Sequence, residues 1–288
     1  LLRASETPGG GGGACGETGA DCLVVGVTED SRRVSPGTVF VAVQGEHTDG
    51  HAFAERAAAA GAVAVVGDRD ALSALCGVPY WPVHEPRMAA AVLAHALAGF
   101  PSRGMTVVGV TGTNGKSSTV YLTQSILQCA GLSTAKFGTL GYEIAGEMLP
   151  ALHTTPFGEE LAAIFARAKS AGISHVVMEV SSHALEQERV AGIAFSAAAF
   201  TNLTQDHLDY HRDMETYRQA KLRLFERLSG VGAFAVVNVD DPSAEFFLRA
   251  SRVRCLTYGK TGDCRAERVR MDISGTRFDL ITPWGAIN

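Results

Sequence analysis

VTGTNGKSST, Val110 to Thr119, is the stretch whose reading decides the fold. It continues an apolar, strand-like run, Met105 to Val110, and opens a helix-like segment from Lys116 to about Ala130. Gly112 and Gly115 let the backbone approach an anion closely. The amides from Thr113 to Ser117, at the start of a helix, suit phosphate through their N–H groups and the helix dipole. Lys116 would reach the β- and γ-phosphates, and the Ser117 hydroxyl would hold Mg²⁺. The widespread pattern G-x-x-x-x-G-K-[ST] has glycine where this chain has Val110. The loop is thus a variant, and on its own it specifies only nucleotide phosphates.

On the C-terminal side, long α/β units follow. A helix is expected over Gly158 to Ala171, a strand over Ser174 to Val180 and another over Ala197 to Leu203. A further helix, Met214 to Leu228, leads to a strand at Gly232 to Val239. Nearly continuous apolar strands separated by helices predict a parallel sheet covered on both faces, with ligands beyond the carboxyl ends of its strands. On the N-terminal side, strand-like runs Cys22 to Val27 and Thr38 to Val43 precede a helix over Phe53 to Ala60 and a strand over Ala62 to Val66. A helix over Pro86 to Ala98 closes this region, and Gly99 to Gly104 reads as a linker.

Three more stretches carry candidate chemistry. Glu179 ends an apolar strand, where a carboxylate either binds metal or caps the strand, and Ser181 to Leu185 (SSHAL) follows on the same rim. TNLTQDHLDYH, Thr201 to His211, packs Asn202, Asp206, His207, Asp209 and His211 at a strand exit, a density that favours nucleotide or metal contact. Asp209 and Asp213 are also candidate helix caps. Lys221, in the amphipathic helix Tyr217 to Leu228, reads from periodicity alone as a surface lysine.

The bulk numbers narrow the class. A chain of 288 residues, 46% hydrophobic, is long enough for two cores, the second of which need not be complete. A net charge of -5 argues against a nucleic-acid partner, which asks for a basic surface. The six cysteines lack C-x-x-C spacing and are expected as reduced thiols. No apolar run approaches the ~20 residues of a membrane span, and no signal peptide opens the chain, so a soluble cytoplasmic protein is expected. The chain starts at Leu1 and stops at Asn288, just after the strand-like Thr276 to Thr282, and so reads as a piece of a longer one.

Taken together, GTNGKSS, TTP at Thr154 to Pro156, MEVSSHAL at Met178 to Leu185, TNLTQDHLDYH, and AKLRLF at Ala220 to Phe225 closely resemble the Mur ligases. That family's phosphate loop is G-T-N-G-K-[ST], without the distal glycine. EDSRRVSPGTVFVAVQGEHTDGHAF, Glu29 to Phe53, resembles the family's UDP-binding domain, so the likeness runs from Cys22 to Asn288. It implies an α/β fold: a small N-terminal α/β UDP-binding domain at 21–100, then a P-loop, mostly parallel-sheet ATPase domain at 104–288. Residues 1–20 are expected as a frayed arm. The family's C-terminal amino-acid-binding domain, with its D-N-P-R type motif, is not found before Asn288.

The implied activity is ATP-dependent addition of a diamino acid, meso-diaminopimelate or L-lysine, to the D-glutamate of UDP-N-acetylmuramoyl-L-alanyl-D-glutamate, through an acyl phosphate. ATP and Mg²⁺ are the implied cofactors, and a monomer with no membrane or nucleic-acid partner is expected. Carried over residue by residue, Thr111, Gly112, Thr113, Asn114, Gly115, Lys116 and Ser117 fall to ATP. Ser117, Glu179 and His207 fall to magnesium, joined by Lys221 as a carbamate, and Lys116, Lys221, His207 and Glu179 form the catalytic set. The muramoyl peptide is assigned Thr154, Thr155, Ser181, Gln187 and Arg189, and the uridine end Ser31, His47 and Thr48. Two other readings stand beside this one: a folylpolyglutamate synthase-like ligase, whose loop usually reads G-T-N-G-K-G-S, and a catalytically inactive nucleotide-binding fragment.

Overall fold

The computed structural model describes residues 3–4, 22–45, 48–69 and 74–287. Two compact units emerge: one comprises 1–101 with 157–166 and 187–193, the other 102–156, 167–186 and 194–288. All but two residues of the arm expected at 1–20 lie outside the described residues, as does His47.

In the first unit, the short strands β1 (Arg3–Ala4) and β2 (Leu23–Val24) pair in parallel. The main sheet has five strands: β3 (Gly26–Thr28), β4 (Thr38–Val41), β5 (Ala62–Gly67), β6 (Ala74–Leu75) and β7 (Val78–Pro82). Its order is β3-β4-β5-β7-β6, parallel except where β6 meets β7. The fully buried β4, TVFV, is the apolar run that a sheet covered on both faces requires. One face packs Phe40, Val65 and Tyr80 with Ala54 and Ala57 of α1 (Ala54–Ala59). The other packs Val39, Val41 and Val66 under Ala90 of α2 (Pro86–Leu97), which starts on a proline at its first position. The expected Cys22 to Val27 strand is broken into β2 and β3.

In the second unit the chain runs through β8 (Thr106–Thr111), α3 (Lys116–Cys129), β9 (Thr134–Gly138), β10 (Gly141–Ile144) and β11 (Glu147–Leu149). Next come α4 (Gly158–Ser170), whose first residues belong to the first unit, β12 (His175–Glu179), α5 (Ser182–Glu186), β13 (Ala197–Phe200), α6 (Leu208–His211) and α7 (Met214–Glu226). β14 (Phe234–Asn238), α8 (Ala244–Ala250) and β15 (Arg254–Tyr258) complete an eight-stranded sheet ordered β11-β10-β9-β12-β8-β13-β14-β15. From β9 to β15 it is parallel, and β10 and β11 add an antiparallel edge. That edge is absent from the sequence reading, because strands this short carry little periodicity. β16 (Arg265–Asp272), β17 (Gly275–Thr282) and β18 (Gly285–Ile287) form a separate antiparallel sheet.

The order places the site. From β8 the chain crosses to β9 on one side, yet β13 lies on the other, so β8 is a switch point with a crevice at its carboxyl end. In the ladder Glu179 pairs with Val110 and Phe200 with Thr111, so three strand ends finish level. Below them Val110, Val120 and Val177 form a buried cluster, and Phe200 stacks on Phe247 at 3.7 Å between centroids. Each such fully buried side chain contributes about 2 kcal/mol, which anchors the strand ends.

Two expectations are corrected. Cys22 is disulfide-bonded, so the all-reduced reading fails there, while Cys76, Cys129, Cys255 and Cys264 carry free thiols. Lys221 is not on the surface: it is 1% exposed, and α7 turns it toward the sheet rim. No described helix is long and apolar enough to cross a membrane.

Candidate functional site

At the end of β8 the chain turns through Gly112, whose φ is +146°. A Cβ there would sit 1.9 Å from Thr201 Oγ1, so only glycine fits. The loop is clamped from β13's exit. Thr201 Oγ1 donates to the Asn114 carbonyl at 2.7 Å, Asn202 Nδ2 donates to the same oxygen at 3.0 Å, and Asn202 Oδ1 accepts from the Asn114 N–H at 2.9 Å. The Thr113 N–H bonds the Asn202 carbonyl at 2.8 Å. Two of the amides expected to face phosphate are therefore engaged with Asn202. Gly115, at φ +84°, starts α3 without a side-chain cap, and the first-turn amides of Lys116 and Ser117 have no acceptor within the helix.

Lys116 folds back over this loop, its Nζ donating to the Gly112 and Thr113 carbonyls at 2.9 and 2.8 Å. Burial lowers its pKa, against the pull of Glu179 and Asp206. From the opposite wall Lys221 Nζ donates to the same Gly112 carbonyl at 3.0 Å and lies 4.4 Å from the Tyr217 ring centroid. Desolvation holds the Lys221 pKa well below the ordinary lysine value, and Lys116 depresses it further, while Asp206 opposes. Two lysine nitrogens thus converge on one carbonyl, a half-buried Lys116 and a fully buried Lys221.

Glu179, 2% exposed, closes the third side. Its Oε1 accepts from Ser117 Oγ and from the Thr139 N–H, each at 2.9 Å, and its Oε2 accepts from Thr139 Oγ1 at 3.3 Å. Gly138 makes room, since a Cβ there would meet Oε1 at 2.2 Å. A buried carboxylate bonded by neutral donors, with a hydroxyl beside it, fits a hard cation that takes its remaining ligands from water and phosphate. Among the described residues no group of three or more His, Cys, Asp and Glu side chains forms a ready metal cage.

His207 lies at φ 53° on the exit loop, half exposed, with Nε2 3.5 Å from Asp206 and its ring 4.9 Å from that of His183. Its neighbour His211 is buried, with Nε2 2.9 Å from Ser182 Oγ, and burial pushes its pKa down to about 4. Asp213 caps α7 by accepting from the Thr216 N–H. Thr155 is fully committed: its hydroxyl donates to the Glu179 carbonyl and accepts from the Ser181 N–H. Thr154 Oγ1 sits 3.1 Å from Thr139 Oγ1, and Ser181 Oγ caps α5 through the Ala184 N–H. Sequence reasoning missed Thr139 and Tyr217. Tyr217's hydroxyl is 3.2 Å from Thr113 Oγ1, and neither residue stands in a pattern that marks it.

Ser31, Thr48, Gln187 and Arg189 belong to the first unit. A cavity of about 640 Å³ there is lined by Glu29, Asp30, Ser31, Arg32, Arg33, Phe53, Arg56 and the start of α4. Asp30 binds Arg32 through both carboxylate oxygens, which holds its pKa down to about 2, and so fixes the turn that presents Ser31. Arg189 binds Gln187 Oε1 at 2.7 Å and covers the Phe157 ring. Thr48 is exposed, its carbonyl accepting from the Gly45 N–H.

Known proteins match this arrangement. The Mur ligase middle domain model covers residues 110–288, and the model described as Mur ligase family, catalytic domain covers 23–98. A UDP-N-acetylmuramoyl-L-alanyl-D-glutamate--2,6-diaminopimelate ligase from Bacillus licheniformis is 41% identical over 91% of this chain and 55% of its own length. Its namesake from Solibacter usitatus is 45% identical over 91% of this chain and 53% of its own. The chain thus spans about half the length of the curated relatives it matches. A solved ligase of the same name superposes with a TM-score of 0.81 at 29% identity, over 92% of this chain and 55% of that one. An Escherichia coli FolC complex with ADP, at a TM-score of 0.54 and 19% identity over 69% of this chain and 51% of its own, shares the fold alone. Two family models that take in both units, and relatives alike along most of the chain, allow one placement: the chain belongs to the Mur ligase family.

Proposed function

We propose that the chain is the nucleotide- and precursor-binding part of a ligase that uses ATP to join a diamino acid to the D-glutamate carboxylate of UDP-N-acetylmuramoyl-L-alanyl-D-glutamate. The observation that carries this reading is the meeting of Lys116 and Lys221 on the Gly112 carbonyl, beside the Ser117–Glu179 pair. The residues around 21–100 would take the UDP end, with Ser31 in the cavity, and those from 104 onward the ATP. The relatives' names support 2,6-diaminopimelate as the amino acid over lysine.

A carboxylate is a poor acyl donor, so the reading begins with its attack on the γ-phosphorus of ATP. The O–P bond to ADP breaks and an acyl phosphate forms. The amine of the diamino acid then attacks the acyl carbon, and phosphate leaves with the C–O bond electrons as the amine sheds a proton. Phosphoryl transfer asks mainly for position and charge neutralisation. Lys116 would swing from its two carbonyls onto the phosphates, and the free amides at the start of α3 would meet them. Magnesium, held by Ser117, Glu179 and His207, would supply further neutralisation between the two anions.

Lys221 has a different task in this reading. Burial and the neighbouring Lys116 favour its neutral amine, the form that attacks CO₂: the N–C bond forms and a proton leaves to solvent. The resulting carbamate would be an anion able to help hold magnesium and would remove the repulsion between the two lysines. Phosphate release from ATP, measured with the UDP-linked dipeptide and each diamino acid in turn, tests the reading. Release that requires both the dipeptide and diaminopimelate supports it, and binding of ATP without any binding of the UDP-linked dipeptide rejects it in favour of a nucleotide-binding scaffold.

A further inference from the structure

The cavity in the first unit holds a charge puzzle. Three carboxylates, Glu29, Asp30 and Glu159, line the same space as Arg32, Arg33 and Arg56. Asp30 is satisfied by Arg32, and Glu159 is paired with Arg33. Glu29 differs: Arg87 on α2, Glu159 on α4 and Arg189 act on it through space, and the hydroxyl of Thr28, next to it in the chain, accepts from the Asp30 N–H. A third ionised carboxylate in a space meant for a nucleoside diphosphate would repel it. A neutral carboxyl would not, and would gain a donor that the carboxylate lacks.

We propose that Glu29 reads the base of the nucleotide bound in this cavity: as a carboxylic acid, its O–H donates to a uracil carbonyl and its C=O accepts the uracil N3–H. The two groups lie side by side on the acid and on the imide edge of the ring, so the pair closes as two parallel hydrogen bonds. Ser31, on the same wall, is left to the ribose or phosphates, and Arg56, exposed at the rim, to the phosphate charge. The assignment rests on the uridine end occupying this cavity, as proposed above. Independent support comes from the protonation balance. Burial pushes Glu29 up to about 7, with Glu159 reinforcing it, while Arg87 and Arg189 pull the other way. Asp30, Arg32 and Arg33 on the same segment and Arg56 on α1 complete the charged groups that face it.

The test is calorimetric titration of the full chain with UMP between pH 6.5 and 8.5, for the wild type and for Glu29→Gln. Glutamine keeps one donor and one acceptor but does not titrate, so ionisation of the ligand cancels in the comparison. Wild-type affinity should fall about twentyfold more than that of Glu29→Gln over this range, as loss of the acid form dictates. N3-methyl-UMP, which lacks the N3–H, should bind the wild type far more weakly than UMP does, a comparison that needs no variant. Equal pH slopes for the two proteins, or equal binding of the two ligands, overturn the role of Glu29 while leaving the cavity a uridine site. No UMP binding to the wild type at any pH overturns the placement of uridine itself.

Discussion

His95 offers a quantitative test of the first unit's packing. It is 0% exposed on α2, its ring edge-on to Phe165 at 6.1 Å, and neither ring nitrogen has a hydrogen-bond partner among the described residues. Desolvation pushes its pKa from 6.5 down to about 4. The unfolded chain then binds a proton at His95 below pH 6.5, and the folded chain does not until about pH 4. Stability is therefore fully present above pH 6.5 and falls as the pH drops toward 4. Between pH 7.5 and pH 5 the loss works out at about 2 kcal/mol. The perturbation is His95→Phe, which cannot titrate. Urea unfolding followed through Trp81, in a Trp284→Phe background so that only the first unit reports, should show the wild type losing about 2 kcal/mol more than His95→Phe over that pH change. Whatever strain phenylalanine introduces is common to both pH values and cancels. The same pH dependence in both proteins would refute a neutral, unpaired imidazole.

Two further outcomes concern the phosphate loop. Gly112→Ala places a methyl group on Thr201 Oγ1 and should abolish ATP binding in titration calorimetry while the uridine end still binds; unchanged ATP affinity would mean the loop is not held as described. Lys221→Ala should cut acceptor-dependent phosphate release on the order of a hundredfold, with partial recovery in excess acetate if a carbamate is what was lost; normal turnover would exclude that role.

The phosphate loop was legible because its chemistry is local. Glycine at 112 and 115, then lysine and serine, need only the strand and helix that flank them. Glu179 and the Thr201–His211 stretch were legible as strand ends, and the parallel sheet supplies the rest. Lys221 shows the limit: helix periodicity records only which side of α7 a residue occupies, and burial depends on a loop more than a hundred positions away in sequence. Thr139 was hidden for a related reason, since its role is to donate to Glu179 from a neighbouring strand's exit. The roles of Thr113 and Asn114 shifted too, because Asn202 already occupies amides that sequence order alone assigns to phosphate.

The level finish of β12, β8 and β13 has a consequence for how freely the chain can vary. What fixes the distances among Ser117, Glu179 and Thr201 is a backbone ladder, with Val110 opposite Glu179 and Thr111 opposite Phe200. The lengths of the excursions between those strands do not enter. Additions at the Ala145–Gly146 turn of the edge hairpin would leave the crevice unaltered, whereas a slip of one rung anywhere along the three central strands would dismantle it.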